Sequence, residues 1–382
     1  MLRNKILVIN PGSTSTKVAV FENEEKVFSR EITHTAEELA VFADVTEQLP
    51  YRQGMIEQEL KNSGIKMEDL SAVVARCGSL NSVEGGVYRI SDLLRDHAIQ
   101  AVNGVRHPAM LGASLARHFA DLQEIPAYIV NPPETDELCD LARMTGIKGV
   151  YRSAHLHALN LKETAIRHAE LQSRKYEDCN FIVCHIGGGI SVSAHRKGKM
   201  IDGNEIIGGE GPMTPTRCGS IPVKEIIELC YSGKTKEEVS ALCTKSGGFV
   251  SHFGTSDARE VVRMVKEGDR MAFLVWNAML YQIEKNIGAM ASVLHGEVDG
   301  ILLGGGMVFE QELVEKIEET CGYIAPVYAY PGEFEMEALA AGVLRVLSGK
   351  EQEKKYTGEP VWNREDFETP FVSNEKMKDQ ES

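Results

Sequence analysis

The stretch ILVINPGSTSTKVAVF, Ile6 to Phe21, runs apolar into Pro11 and Gly12, passes four hydroxyl residues and Lys17, and turns apolar again. Two apolar runs around a glycine-containing polar turn predict a β-hairpin, with backbone amides, hydroxyls and one cation at its tip. That is an inventory for holding phosphate oxygens, with Gly12, Ser13, Ser15 and Lys17 as donors. Asn10 at the strand end adds a group able to orient an oxygen or a metal-bound water.

A second stretch, NFIVCHIGGGISVSAHRKGKMID from Asn180 to Asp202, has the same layout. Asn10 corresponds to His185 and Gly12 to Gly187, and a third strand follows each hairpin. Such self-similarity predicts two related halves, each presenting a glycine tip. Here the second tip is Gly187, Gly188 and Gly189.

Outside the repeats, EDLSAVVAR (68–76) and IPAYIVNP (125–132) read as single strands, and HPAMLGASLARHF (107–119) as a helix opened by a proline. Phe273, Trp276, Leu280, Ile283, Ile287, Met290 and Leu294 recur at helical spacing and predict one buried face of a long helix. VDGILLGGG (298–306) reads as a strand ending in three glycines, Gly304, Gly305 and Gly306. After Lys350 apolar residues occur only singly, among them Val361, Trp362, Phe367 and Phe371, so 350–382 reads as a polar tail packed loosely on the surface or partly disordered.

The 382 residues suffice for two domains, and 43% of them are hydrophobic. A net charge of −15 excludes the basic footprint of a nucleic-acid binder and disfavours an anionic membrane, which leaves a small molecule as partner. The eight cysteines form no C-x-x-C pair and read as reduced thiols of a cytoplasmic protein. Gly233-Lys234-Thr235 mimics a phosphate loop, but Glu228 stands where its first glycine is required, and no dinucleotide fingerprint follows a strand.

Seven ordered motifs now combine: NPGSTSTK (10–17), GGVY (85–88), HALN (157–160), HIGGGISV (185–192), GTSDAREV (254–261), GEVDGILLGGG (296–306) and PGEFEMEAL (331–339). Over residues 2 to 348 the chain resembles the butyrate kinases of the acetate kinase family, within the acetate kinase, sugar kinase and actin superfamily. The resemblance implies an α/β fold of two duplicated ribonuclease-H-like domains with an interdomain cleft. Residues 1–150 would form the first, completed by a C-terminal helix near 333–348, and 151–332 the second, nucleotide-binding domain. It further implies an ATP-dependent kinase that makes an acyl phosphate from a short-chain carboxylate, a homodimer, and no nucleic-acid or membrane partner.

Residue by residue, the resemblance places Arg76, Arg217, His157 and Asn131 at the catalytic centre, and Arg76, His107, Met110 and Ser79 on the acceptor. Asn10, Gly12, Ser13, Ser15, Lys17, His185, the 187–189 and 304–306 glycines would face ATP or ADP, and Glu335 would associate with Mg2+, with Glu337 as runner-up. A carboxylate already carries its charge, so the reaction needs cations more than a base.

Several positions depart from the family pattern. Cys77, Gly78 and Ser79 replace Gly-Gly-Leu, Met110 replaces an asparagine, Asn131 and Gly208 replace aspartates, Thr216 a glutamate and Cys218 a small residue. Two alternatives stay open: an acceptor more polar than butyrate, bonded by Asn131 and Ser79, or a nucleotide-binding paralogue that acts as a sensor without turnover. A sugar kinase would want an aspartate base for its neutral hydroxyl, where Asn131 stands.

Overall fold

The computed structural model describes residues 3–368. One compact unit takes the chain up to Asp136 together with Phe334–Glu368, and the other takes Glu137–Glu333. The division at Asp136 falls ahead of the position near residue 150 expected from sequence.

The strands in chain order are β1 Lys5–Pro11, β2 Ser15–Glu22, β3 Glu25–Thr33, β4 Ala72–Ala75, β5 Val87–Arg89, β6 Ala127–Val130, β7 Asn180–Ile186, β8 Ile190–Arg196, β9 Lys199–Gly203, β10 Gly300–Gly305, β11 Val327–Pro331 and β12 Lys354–Lys355. The first unit has the sheet order β12-β5-β6-β4-β1-β2-β3 and the second β11-β10-β7-β8-β9. Both contain the same five-stranded plan: an antiparallel meander whose first strand pairs in parallel with a later strand, which pairs in parallel with a fifth. The first unit adds β5 and β12 at one edge.

Strands buried on both faces read as continuous apolar runs, and β1 and β7 are of this kind. In the first unit Leu7, Ile9, Val73 and Ala75 face a core shared with Leu115, Ala116 and Phe119 of the helix Gly112–Asp121. Their neighbours Ile6, Val8 and Val74, equally buried, point the other way by the two-residue period. There the helix Glu335–Leu347 packs on β1, β4 and β6, and Gly342 admits the Val130 side chain where a Cβ would come within 2.7 Å. In the second unit the helix Arg270–Val293 covers one sheet face and Ala158–Leu171 the other.

Two expectations change. Phe273 is exposed at 54%, because the buried stripe of Arg270–Val293 runs through Ala272, Trp276, Met279 and Ile283, which turns Phe273 out of it. The segment after Lys350 is anchored as far as Glu368: β12 pairs with β5, Tyr356 is buried, and Trp362 Nε1 donates to Asp136 Oδ2 at 2.9 Å. Single aromatic anchors leave no periodic trace. The rest of the expected tail, 369–382 with Phe371, lies outside the described residues. Among the described residues all eight cysteines are free, and no helix is long and apolar enough to cross a membrane.

Gly112 starts its helix directly against the end of β4, where an added Cβ would press on the Arg76 carbonyl. Gly112→Ala is therefore expected to cost about 1–3 kcal/mol, read as a lower midpoint in urea unfolding. An unchanged midpoint would mean that helix and strand are not held this closely.

Candidate functional site

In the first unit the β1–β2 ladder closes at Pro11 and Thr16, leaving Gly12–Ser15 as the tip. Gly12 N–H donates to Ser15 O at 2.8 Å, so this amide serves the turn itself. Ser13, Ser15 and Lys17 alternate with Thr14 and Thr16, and the period of two puts the buried Thr16 on the inner face and Ser15 and Lys17 on the outer one.

Arg76 follows β4, and its N–H donates to Ile9 O at 2.9 Å, which sets it beside Asn10. Glu335 opens the C-terminal helix, where the helix dipole favours a carboxylate. It accepts from Asn10 Nδ2 at 2.7 Å and lies 3.7 Å from Arg76 Nε. Asn10, Arg76 and Glu335, 325 positions apart in the case of Asn10 and Glu335, thus form one polar cluster. Glu337 instead pairs with Lys26 at 2.8 Å.

His107 caps the short turn Pro108–Leu111, its Nδ1 accepting the Ala109 N–H at 3.1 Å. The ring proton of the neutral form therefore sits on Nε2, 3.3 Å from Ser13 Oγ. Burial, then the guanidinium charges of Arg76 and Arg52, hold its pKa down to about 4, so His107 is a neutral donor at the first tip.

The structure does not bring Met110, Ser79 or Asn131 out to this surface. Met110 is fully buried in the core, since all four residues of its turn face inward. Ser79 is buried and its hydroxyl donates to Val105 O at 2.6 Å. Asn131, at φ +39°, accepts Gly86 N–H through its side chain at 2.7 Å and donates its own N–H to Gly86 O. Asparagine tolerates this left-handed backbone, so Asn131 shapes the GGVY turn.

In the second unit the ladder closes at Ile186 and Ile190, a tip one residue shorter, with Gly187 N–H donating to Gly189 O at 3.0 Å. His185, next to last in β7, stacks on His157 with ring centroids 4.1 Å apart. His157 Nδ1 is 2.8 Å from Ser191 Oγ, which fixes the ring. His185 Nε2 lies 3.9 Å from Glu333 Oε1.

Arg217 reaches the same tip. Thr214 Oγ1 accepts the Arg217 N–H at 3.1 Å while donating to Gly188 O at 3.0 Å, which ties the arginine loop to the tip. A Cβ on Gly189 would collide with Arg217 Nη1 and come within 3.0 Å of His157 Cε1. Arg217 Nη1 is buried and has no hydrogen-bond partner, and burial lowers its pKa while the field of Glu205 raises it. Two histidines and an orphaned guanidinium N–H thus converge on three glycines. An anion oxygen placed here would give the Arg217 N–H its acceptor.

Gly304, aligned with His185 in the β7–β10 ladder, ends β10 with Gly305. A Cβ on Gly305 would strike the Ile186 backbone, whereas Gly306 has open space around it.

The family model described as the acetokinase family matches residues 147–320. Butyrate kinase 2 of Clostridium acetobutylicum is 43% identical over 93% of this chain and 100% of its own. The chain belongs to the acetokinase family. Acetate kinase of Porphyromonas gingivalis has the same fold, with a TM-score of 0.73 at 21% identity over 90% of this chain and all of its own. A propionate kinase of Francisella tularensis superposes with a TM-score of 0.68 at 17% identity, over 89% and 98% of the two chains. The α/β fold of two duplicated, actin-like ATPase domains is therefore that of the acetokinases.

Several residues of this acetokinase escaped the sequence reading. Arg152 bridges Glu210 at 2.7 Å and Asp202 at 3.0 Å, and so steadies the start of the loop that carries Arg217. Ser191 and Thr214 position His157 and Arg217, and a lone hydroxyl gives no pattern to read. Glu134 lies under the Cys77–Ser79 segment, accepting from Ser79 N at 2.8 Å and Asn103 Nδ2 at 2.9 Å, while its Oε2 is buried without a partner.

Burial pushes the Glu134 carboxyl up to about 7. The folded state then binds a proton that the unfolded chain releases near the model-peptide value, so this contribution to stability is full below about pH 4.5 and is lost as pH rises through about 7. His107 acts in the opposite sense between its ordinary value of 6.5 and about 4, so the parent alone does not isolate either group. Glu134→Gln removes the first contribution, and the melting temperature of the variant relative to the parent is expected to rise from pH 5 to pH 8. A constant difference across that range would refute the buried, protonated carboxyl.

Proposed function

We propose that the chain is an ATP-dependent carboxylate kinase that converts a short-chain fatty acid, butyrate or a branched analogue, to its acyl phosphate. The observation that carries this reading is the buried, unpartnered Nη1 of Arg217 against Gly189. A buried guanidinium N–H left without an acceptor costs free energy that a phosphoryl oxygen recovers. The relative named butyrate kinase, matched over nearly the whole of both chains, supports the choice of acid.

In this reading His157, His185 and the 187–189 glycines hold nucleotide phosphates, and Arg217 stabilises charge on the transferring group. Gly306 leaves room for the nucleoside, with Gly304 and Gly305 beside it. Ser13, Ser15, Lys17 and the His107 Nε2–H present donors at the first tip, and Arg76 draws in the carboxylate. One carboxylate oxygen forms a bond to the γ-phosphorus as the bond to the ADP oxygen breaks, and no proton moves.

Magnesium suits the residues present as an ion carried by the nucleotide. Among the described residues no group of three or more His, Cys, Asp or Glu side chains is arranged to hold a metal, whereas Mg2+ commonly needs one carboxylate, waters and phosphates. Glu335 is the carboxylate proposed for it, oriented by Asn10 and Arg76. Bound there, the ion would neutralise phosphate charge.

The polar side chains of Ser79 and Asn131 are committed to Val105 and Gly86, which argues against a more polar acceptor. Hydroxylamine trapping with ATP and Mg2+ over a panel of short and branched acids tests the assignment. Product with butyrate or a branched acid is expected, and ATP binding without product from any acid would favour the sensor reading. Arg217→Ala should lower kcat by about 100-fold or more. Turnover within a few-fold of the parent would remove Arg217 from its role.

A further inference from the structure

The helix Gln48–Ser63 carries Gln48, Arg52, Ile56 and Leu60 on its buried side. Arg52 is 0% exposed, a rare condition for an arginine without a carboxylate. Its Nε and Nη2 donate to Gln48 Oε1 at 3.1 and 2.9 Å, and Nη1 donates to Thr16 Oγ1 at 2.8 Å and Ser15 O at 3.3 Å. Every partner is neutral. Among the described residues no carboxylate lies within ion-pair distance of it. Thr16 also meets His34 Nε2 at 2.8 Å, and His34 Nδ1 meets Tyr51 at 3.1 Å; the carboxylate of this network, Glu38, acts on His34 and Tyr51 and makes no ion pair with Arg52.

That charge stands directly behind the first tip, bonded to Ser15 of the tip and to Thr16 next to it. Its field reaches His107, the group that faces Ser13. We infer that Arg52 is a positioning residue whose buried, uncancelled charge holds the Ser15–Thr16 backbone and favours an anion on the outer face of the Gly12–Ser15 tip. The inference rests on the reading of that tip as a phosphate-binding element. Gln48 is part of the device: a neutral acceptor orients the fork without cancelling its charge, as a carboxylate would.

Gln48→Glu separates charge from structure, because it keeps an acceptor at the same place and adds the missing counter-charge. In the full chain, inorganic phosphate is titrated while the amide resonances of Gly12–Ser15 are followed. The expected result is about tenfold weaker phosphate binding than in the parent, the scale of one pKa unit, at equal or higher thermal stability. The His107 ring should titrate measurably higher than in the parent, with Arg76 and Glu335, its other charged neighbours, unchanged.

Arg52→Lys, which keeps the charge and loses the fork, should hold phosphate affinity within a few-fold. Unchanged affinity and an unchanged His107 titration in Gln48→Glu would overturn the inference, as would a loss in Arg52→Lys as large as in Gln48→Glu. Absence of any phosphate response at the parent tip would also overturn it. Failure of the parent to phosphorylate any acid would sink the proposed function instead, while the His107 titration still decides the charge of Arg52.

Discussion

A guanidinium buried without an anion, or with an N–H left without an acceptor, is unstable in a protein interior, and each unit of this fold contains one such group beside a hairpin tip. In the first, Arg52 is enclosed behind Ser15 and Thr16 with neutral partners only. In the second, Arg217 presses on Gly189 with one N–H left unsatisfied. The surrounding structure bears that cost because the helices and sheets that bury these groups are large and apolar. In the proposed function such a guanidinium is preorganised for an anion and needs little rearrangement to receive it.

The duplicated plan explains where the remaining chemistry sits. In both units the next-to-last residue of the first meander strand is polar, Asn10 or His185, and lies next to a parallel strand. In the second unit the neighbouring position is Gly304, and in the first it is taken up by Arg76, one step past Ala75. One copy therefore carries a cation where the other carries bare backbone. In the proposed function this one scaffold position serves two ends, a cation for the acid in one half and bare backbone in the other.

Much of this was legible in the chain. Both hairpins, the flanking strands and the glycine tips follow from apolar runs broken at Gly12 and at Gly187–Gly189, because a hairpin's pattern is local. The outward set Ser13, Ser15 and Lys17 was legible for the same reason. Met110, Ser79 and Asn131 were not: each replaces a residue of the family pattern, and turn geometry directs them inward or to Val105 and Gly86. Arg52 left a faint signal, a charged residue in step with Ile56 and Leu60, which by itself cannot be told from a long side chain reaching solvent.

The sequence alone determined the two-fold repeat, the strand-to-glycine transitions and the family, since these depend on residue order and on side-chain periods of two and 3.6. Only the tertiary structure decided which polar groups meet. The pairing of Asn10 with Glu335, the stacking of His157 on His185 and the closure of Arg217 on Gly189 join residues far apart in the chain. Their contacts depend on how sheets and helices pack, and burial then sets the proton on His107, the carboxyl of Glu134 and the charge of Arg52, none of which a linear pattern encodes.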